Sequence, residues 1–354
     1  MKNTRYKKLL SVVMIVLMLA SCATNTESDI AAESTSTINP ETESTDSETD
    51  GEYYPEAKYS DFDLNTSVSD SAVYVTFSGS QAETTGELEV GDGYIKIENG
   101  GDYVLSGDYS GQIIVESEEN VHLILSGVTV YNPMSPIYVK SAKNVCITLA
   151  TGTVNTISDS SEYAYKDGED EPAAAVYSKA DLTINSDGTG GDYTSSGFGK
   201  GGFGGFNEPD EDGVYIKIFG GNITLNGGND VLDSNGTLEI TGGTITVNNP
   251  NMVVYGEPDC IIDVNGTAIV SGGTFIAYSS GASSASQVFT VPSITSSVTE
   301  SSASVTVKDA SGQTVIEIPS AEKCSTLYIS SDKLISGETY TVKIGSTTTE
   351  VTVQ

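Results

Sequence analysis

The sequence predicts an all-β protein: a parallel β-helix, a solenoid of stacked coils, followed by a small C-terminal β module. The first observation is a repeat. Phe219-Gly-Gly-Asn-Ile-Thr-Leu-Asn returns as Thr241-Gly-Gly-Thr-Ile-Thr-Val-Asn and again as Ser271-Gly-Gly-Thr-Phe-Ile-Ala-Tyr, with looser copies at Ser126-Gly-Val-Thr-Val-Tyr-Asn and Thr151-Gly-Thr-Val-Asn-Thr. Gly221, Gly243 and Gly273 are 22 and 30 residues apart, a solenoid's period. Each copy is a glycine turn followed by a short alternating segment, so each unit is strand rather than helix and must bury its face on the next. The second observation is that no stretch after residue 22 carries a sustained helical period, which removes an open α/β fold. The third is that the glycine repeats stop near Val291 and plain alternating strands follow.

Taken in order, residues 1–22 read as a targeting segment. Lys2, Arg5, Lys7 and Lys8 precede an apolar run, Leu9 to Ala20, too short for a comfortable membrane span. The run ends Leu19-Ala20-Ser21-Cys22, which looks like a bacterial lipobox, with Cys22 the lipidated residue. The expectation is an extracytoplasmic protein held at the cell surface by acyl chains, the lipid anchor being its only contact with the membrane. Residues 23–58 are rich in Ser, Thr, Glu and Asp and poor in large apolar residues. Such a segment cannot offset its ordering entropy and serves as a tether.

Strands begin in 59–98, with Ala72-Val-Tyr-Val-Thr-Phe, Glu87-Leu-Glu-Val and Gly93-Tyr-Ile-Lys-Ile-Glu capping the solenoid. The solenoid itself is assigned to 99–290. Its coils include Gln112-Ile-Ile-Val-Glu, Val121-His-Leu-Ile-Leu and Asn144-Val-Cys-Ile-Thr-Leu. Two stretches break the rhythm and read as insertions on one face: the acidic loop 158–172 and the glycine-rich 186–212. Residues 291–354 form the C-terminal module, with Ser304-Val-Thr-Val-Lys, Val315-Ile-Glu-Ile, Thr326-Leu-Tyr-Ile and Thr339-Tyr-Thr-Val-Lys-Ile, placed to cover the open end of the last coil.

Charge narrows the partners. The 354 residues hold 16 Lys+Arg against 49 Asp+Glu, and past the leader the cations are lysines alone. A surface of this sign excludes nucleic acid and anionic lipid as ligands. Cys146, Cys260 and Cys324 form no CxxC pair, which argues against a zinc site or a disulfide framework. Cys146 and Cys260 lie in apolar patterns and read as small core residues.

From Tyr94 onward the chain resembles a family of bacterial carbohydrate-binding surface proteins described from cellulose-degrading clostridia. The matching phrases are Gly101-Asp-Tyr-Val-Leu-Ser-Gly, Gly111-Gln-Ile-Ile-Val, Val121-His-Leu-Ile-Leu-Ser-Gly-Val, Ile137-Tyr-Val-Lys-Ser-Ala and Ala175-Val-Tyr-Ser-Lys-Ala-Asp-Leu-Thr-Ile. The resemblance implies a right-handed β-helix shaped like a polysaccharide lyase, bound calcium, and affinity for cellulose and acidic sugars. It makes polysaccharide the expected partner, held without catalysis. A lyase or hydrolase with an atypical base, or a structural adhesin, are the alternatives. Where the family carries Asn-Asp-Gly, this chain has Asn229-Asp230-Val-Leu-Asp233, so Asn229, Asp230 and Asp233 are the first calcium candidates, then Asp181, Asp210 and Asp212. Calcium takes six to eight oxygens, which stacked corners about 4.8 Å apart can supply.

Glycan recognition needs flat aromatic faces, and with no Trp among the residues it falls to the 19 Tyr. Tyr131, Tyr163, Tyr165, Tyr177 and Tyr255 lie at or near turns and are the candidates. For catalysis, β-elimination needs a base beside the cation, commonly Arg in lyases of this shape. Beyond the leader only lysines such as Lys140, Lys143, Lys179, Lys200 and Lys217 are at hand, and acidic neighbours would raise their pKa values. No catalytic residue is assigned. His122, between Val121 and Leu123, reads as a structural or surface histidine.

Overall fold

The computed structural model describes residues 60–160, 174–186, 191–195, 197–200, 215–227, 230–256 and 260–353. These residues are all-β, apart from one turn of 3-10 helix at Ala285–Gln287. No helix among them is long and apolar enough to cross a membrane.

Most strands pair in parallel with the strand one repeat further along the chain, and they fall into three ladders. The first joins the front half of Asn120–Tyr131 to Asn144–Leu149, Leu182–Ser186, Tyr215–Ile218, Thr237–Ile240 and Ala268–Val270. The second joins the back half of Asn120–Tyr131 to Val154–Ser158, Asp192–Ser195, Asn222–Leu225, Thr244–Asn248 and Thr274–Ser279. The third runs through Tyr94–Ile97, Gln112–Glu116, Ile137–Ser141, Val176–Ser178, Phe198–Lys200, Leu232–Ser234 and Ile262–Val264. From Ile137 the chain visits the third, first and second ladders in that order and repeats the cycle.

Alternation decides what each ladder buries. Leu123, Ile147, Ile184, Ile218 and Ile240 of the first ladder, Ile157, Tyr193, Ile223, Ile245 and Phe275 of the second, and Ile95, Ile113, Ile137, Val176, Leu232 and Ile262 of the third belong to one hydrophobic core. Such rows of stacked aliphatic side chains supply most of the fold's stabilisation, at about 25 cal/mol per Å² removed from water.

The repeated glycines all sit at the entry to the second ladder, and the stacking explains them. Gly243 has φ +87°, and a Cβ there would lie 2.8 Å from the carbonyl oxygen of Gly221 in the turn before it. Gly273 has φ +72°, and its Cβ would lie 2.5 Å from the oxygen of Gly243. A left-handed conformation and a backbone pressed against the preceding turn both require glycine. Part of the stretch 186–212 is not insertion. Asp192–Ser195 and Phe198–Lys200 pair in register with the strands on either side.

Both ends of the stack change pairing. Val73–Gly79 lies parallel to Gly101–Tyr109 and turns back onto Gln81–Thr84. At the other end Thr274–Ser279 takes Cys324–Ser331 as an antiparallel neighbour, which pairs in turn with Ser293–Val298. Ala303–Lys308, Thr314–Ala321, Thr339–Ile344 and Thr347–Thr352 make a separate four-stranded antiparallel sheet, with a second core around Val305, Val307, Leu327 and Tyr340.

Candidate functional site

The first ladder turns its aliphatic row inward and a polar row outward. Register places His122, Cys146, Thr183, Lys217 and Glu239 on successive strands of that outward row. Thr148 and Asn185 are paired two positions along. Residues 60–69, which contain no strand, lie across these side chains.

Asp63 is the anchor of that segment and is wholly buried. Its Oδ1 accepts hydrogen bonds from Thr183 Oγ1 at 2.6 Å, Asn144 Nδ2 at 3.1 Å and the Tyr215 hydroxyl at 3.2 Å. Its Oδ2 accepts from the Ser60 N–H at 2.7 Å and the Ser60 hydroxyl at 2.9 Å. The Lys217 ammonium, equally buried, stands 3.8 Å from Oδ2 and 3.7 Å from the centre of the Tyr215 ring. Burial alone would raise the Asp63 pKa, but the bonds from Thr183, Ser60 and Asn144 outweigh it and hold the carboxyl below its usual range. For Lys217 burial wins: its pKa is lowered although Asp63, Glu239 and Asp181 all favour the charged form. The expectation that acidic neighbours would raise this lysine is therefore corrected.

A second chain of bonds runs beside the first. Asn185 donates from Nδ2 to the Asp63 and Asn65 carbonyls, at 3.0 and 3.2 Å. Its Oδ1 accepts from the Thr148 hydroxyl at 2.5 Å, and Thr148 faces His122 Nε2 at 2.6 Å. The other ring nitrogen of His122 lies 3.2 Å from Asp102 Oδ1, and Asp102 Oδ2 accepts the Ser69 N–H at 2.7 Å. Burial lowers the His122 pKa against the pull of Asp102. His122 is thus a structural histidine. Cys146, expected in the core, instead points out into this polar layer, where it meets Asn185 Nδ2 at 3.2 Å. Burial drives its thiol up to about 12, so it is unreactive. Cys260 is also buried outside the main core, and it donates to the Ile262 carbonyl at 2.9 Å.

The third ladder has a different outward row. Ile114, Tyr138, Tyr177, Gly199, Asp233 and Asp263 follow one another in register. The Tyr138 and Tyr177 rings meet edge to face at 6.0 Å, and Lys140 stands 5.8 Å over Tyr138.

The sequence candidates scatter. Asp181 lies beside the buried cluster, its Oδ1 3.3 Å from the Tyr215 N–H. Asp230 Oδ1 accepts the Cys260 N–H at 3.0 Å, and Asp233 is in the third-ladder row. Tyr131 is 51% exposed, whereas Tyr177 is only 3% exposed and presents no open face. Tyr255 is half-buried and packs against the main core. Cys22, Tyr163, Tyr165, Asp210, Asp212 and Asn229 lie outside the described residues. Among the described residues no three Asp, Glu, His or Cys side chains gather around one point. Asp233 and Asp263 bring two carboxylates into register, short of the oxygens calcium requires. Sequence reasoning missed Asp63, Asn144, Thr183 and Asn185. Their only local signal was a Ser60-to-Asp63 turn, which says nothing of a partner 120 residues away.

Comparison with known proteins places the chain near carbohydrate-binding proteins. Residues 91–191 match a family described as carbohydrate-binding domain-containing protein. A curated relative of that description from Acetivibrio thermocellus is 37% identical over 149 residues, which are 41% of this chain and 49% of that one. The chain thus spans about half the length of that relative. A solved structure, described as a polysaccharide lyase-like protein from C. thermocellum in a gadolinium derivative, is 26% identical with a TM-score of 0.46, covering 59% of this chain and 91% of the other. The family match and the curated relative bear out the resemblance read from the phrases between Gly101 and Ile184. The matched stretch holds His122, Asn144, Thr148, Thr183 and Asn185, while Asp63, Tyr215 and Lys217 fall outside it.

Proposed function

We infer that this chain is a polysaccharide-binding protein of the cell surface, anchored through Cys22 and holding glycan without turnover. The observation that carries the reading is the match of residues 91–191 to a carbohydrate-binding family. The three ladders, sharing one core and visited in cyclic order, fit coils of a right-handed parallel β-helix. In that arrangement the outward positions left uncovered recur at a regular spacing, which suits a polymer with its own repeat. Tyr131, half exposed, offers an aromatic face, and Tyr138 carries the Lys140 cation over its ring. Calcium enters as a bridge between protein carboxylates such as Asp233 and Asp263 and the acid groups of a glycan, offsetting the like charge of the two surfaces.

The test is retention of the full chain on cellulose, polygalacturonate and chitin, each with calcium and with chelator. Retention on at least one polymer supports the reading, and its loss with chelator supports the bridge. Tyr131→Ala is expected to weaken retention about tenfold, the scale of one lost stacking contact. Release of unsaturated uronates or new reducing ends would overturn the non-catalytic reading, and absence of retention on every polymer would overturn binding itself.

A further inference from the structure

The segment 60–69 crosses the first ladder as a strap, and its hold is unusual. Asp63 is its only fully buried residue. Leu64 is 60% exposed and Val68 43% exposed, so its aliphatic residues point away from the surface they could have covered. Phe62 alone leans inward, edge-on to His122 with ring centres 6.3 Å apart. The strap's own backbone bonds are local, from Asp63 to Ser60, Asn65 to Phe62 and Ala72 to Ser69. It joins no ladder. What fixes it is one carboxylate in a nest of donors, two carbonyls on Asn185 and one N–H on Asp102. A segment with so little apolar burial belongs to the least stable part of a fold.

The site beneath is better built than the strap above it. Asn144, Thr183, Tyr215 and Lys217 come from three successive strands of a rigid ladder, and all four are buried. They converge on one carboxylate with an amide, two hydroxyls and an ammonium, the last seated on an aromatic face. Asn144 also donates to the Tyr215 hydroxyl at 2.9 Å, fixing that ring. Such donors, held in place before any ligand arrives, are how proteins recognise carboxylates.

We propose that the outward face of the first ladder is a carboxylate-binding site, and that Asp63 occupies it in cis as the anchor of a displaceable strap. A carboxylate-bearing sugar is the ligand class that fits: Lys217 answers the charge, and Thr183, Asn144 and the Tyr215 hydroxyl, which now hold Asp63, can pair with its oxygens. Only this choice of ligand rests on the carbohydrate-binding reading. The strap does not. With Asp63 in place the site is closed, and a competing carboxylate must lift residues 60–69 to enter.

Two measurements on the full chain test this. The first needs no variant: hydrogen exchange of the amides in 60–69, with and without a large excess of galacturonate oligomers. Competition should speed exchange there at least tenfold, while neutral cello-oligosaccharides should leave it unchanged. The second is titration calorimetry of Asp63→Ala with the same oligomers. The variant should bind the acidic oligomer at least tenfold more tightly than the wild type, and Asp63→Ala/Lys217→Met should lose the gain. Circular dichroism and a cooperative melt establish that each variant is folded, and an unfolded variant leaves the decision to the exchange experiment. A strap that stays protected under excess acidic oligomer overturns the proposal, as does a folded Asp63→Ala that gains no affinity. If the wild type is retained on neutral polymers while both tests fail, the strap proposal falls and the general binding reading stands.

Discussion

On the outward side of the first ladder an acid is sunk out of water, while on the third two acids stand half-buried on neighbouring strands. Asp63 meets five hydrogen bonds and a lysine, so its charge is stabilised locally and its pKa is held down. Asp233 and Asp263 are in register with each other, so each faces a like charge across one strand spacing. The number of carboxylates says nothing about which face binds what. Removing a charge from the first face should cost more stability than removing one from the third.

The largest effect is expected at Lys217. Lys217→Met keeps most of the side-chain volume and leaves Asp63 buried without its counter-charge. Losing one partner of a buried pair typically costs 3–5 kcal/mol. About 3 kcal/mol is expected here, because the hydrogen bonds from Thr183, Asn144 and Ser60 still hold the carboxylate. Urea unfolding of the two proteins measures it. A loss below about 0.5 kcal/mol, the range of an exposed pair, would mean that the strap does not bury this pair in solution.

A smaller effect comes with pH. Below about 6.5 the unfolded chain takes up a proton at His122 that the folded ring resists, since burial lowers its pKa despite the facing Asp102. The unfolded state then binds more protons, so stability falls as pH drops. Asp63 acts in the same direction at lower pH: its contribution is complete above the unfolded value, near 3.8, and is lost as pH falls through the lower folded value. His122→Gln should flatten the slope between pH 7.5 and 5.5 and leave the steeper loss below pH 4 in place. Midpoints of urea unfolding across pH separate the two.

The repeat region was legible because stacking writes itself into local sequence. The Gly-Gly turns, the alternation and the period of 22 to 30 residues are all consequences of one strand lying on the next. The same logic marks what was missed in that region. Asp192–Ser195 is another second-ladder strand, but a glycine-rich neighbourhood disguised it as insertion. The buried cluster was illegible for a different reason. Alternation tells that Thr183, Lys217 and Glu239 face away from the core, and outward residues are ordinarily exposed. Only a segment more than a hundred residues distant buries Thr183 and Lys217, and the strap's own sequence, Ser60-Asp-Phe-Asp-Leu-Asn, carries no period that points to a partner. The same blindness sent Cys146 to the core, since an apolar pattern reads alike beneath a strap and among stacked aliphatic side chains.

The smallest effect is expected at Asp233, and its sign matters more than its size. Asp233→Asn removes one of two like charges on adjacent rungs of the third ladder while keeping the side-chain shape. Cross-strand pairs of this kind are worth about 0.2–1 kcal/mol. In chelator, the substitution should therefore raise the stability by a few tenths of a kcal/mol. Calcium bridging the two carboxylates would reverse that: it stabilises the folded state in proportion to its occupancy, so added calcium should raise the melting temperature of the wild type and leave the variant where it was. If calcium shifts both proteins equally, the ion acts elsewhere and the third-ladder row is a surface of paired charges only. If it shifts neither, the like charge between this protein and an acidic glycan has no divalent bridge. Acidic ligands would then have to be met by the lysine beneath the strap.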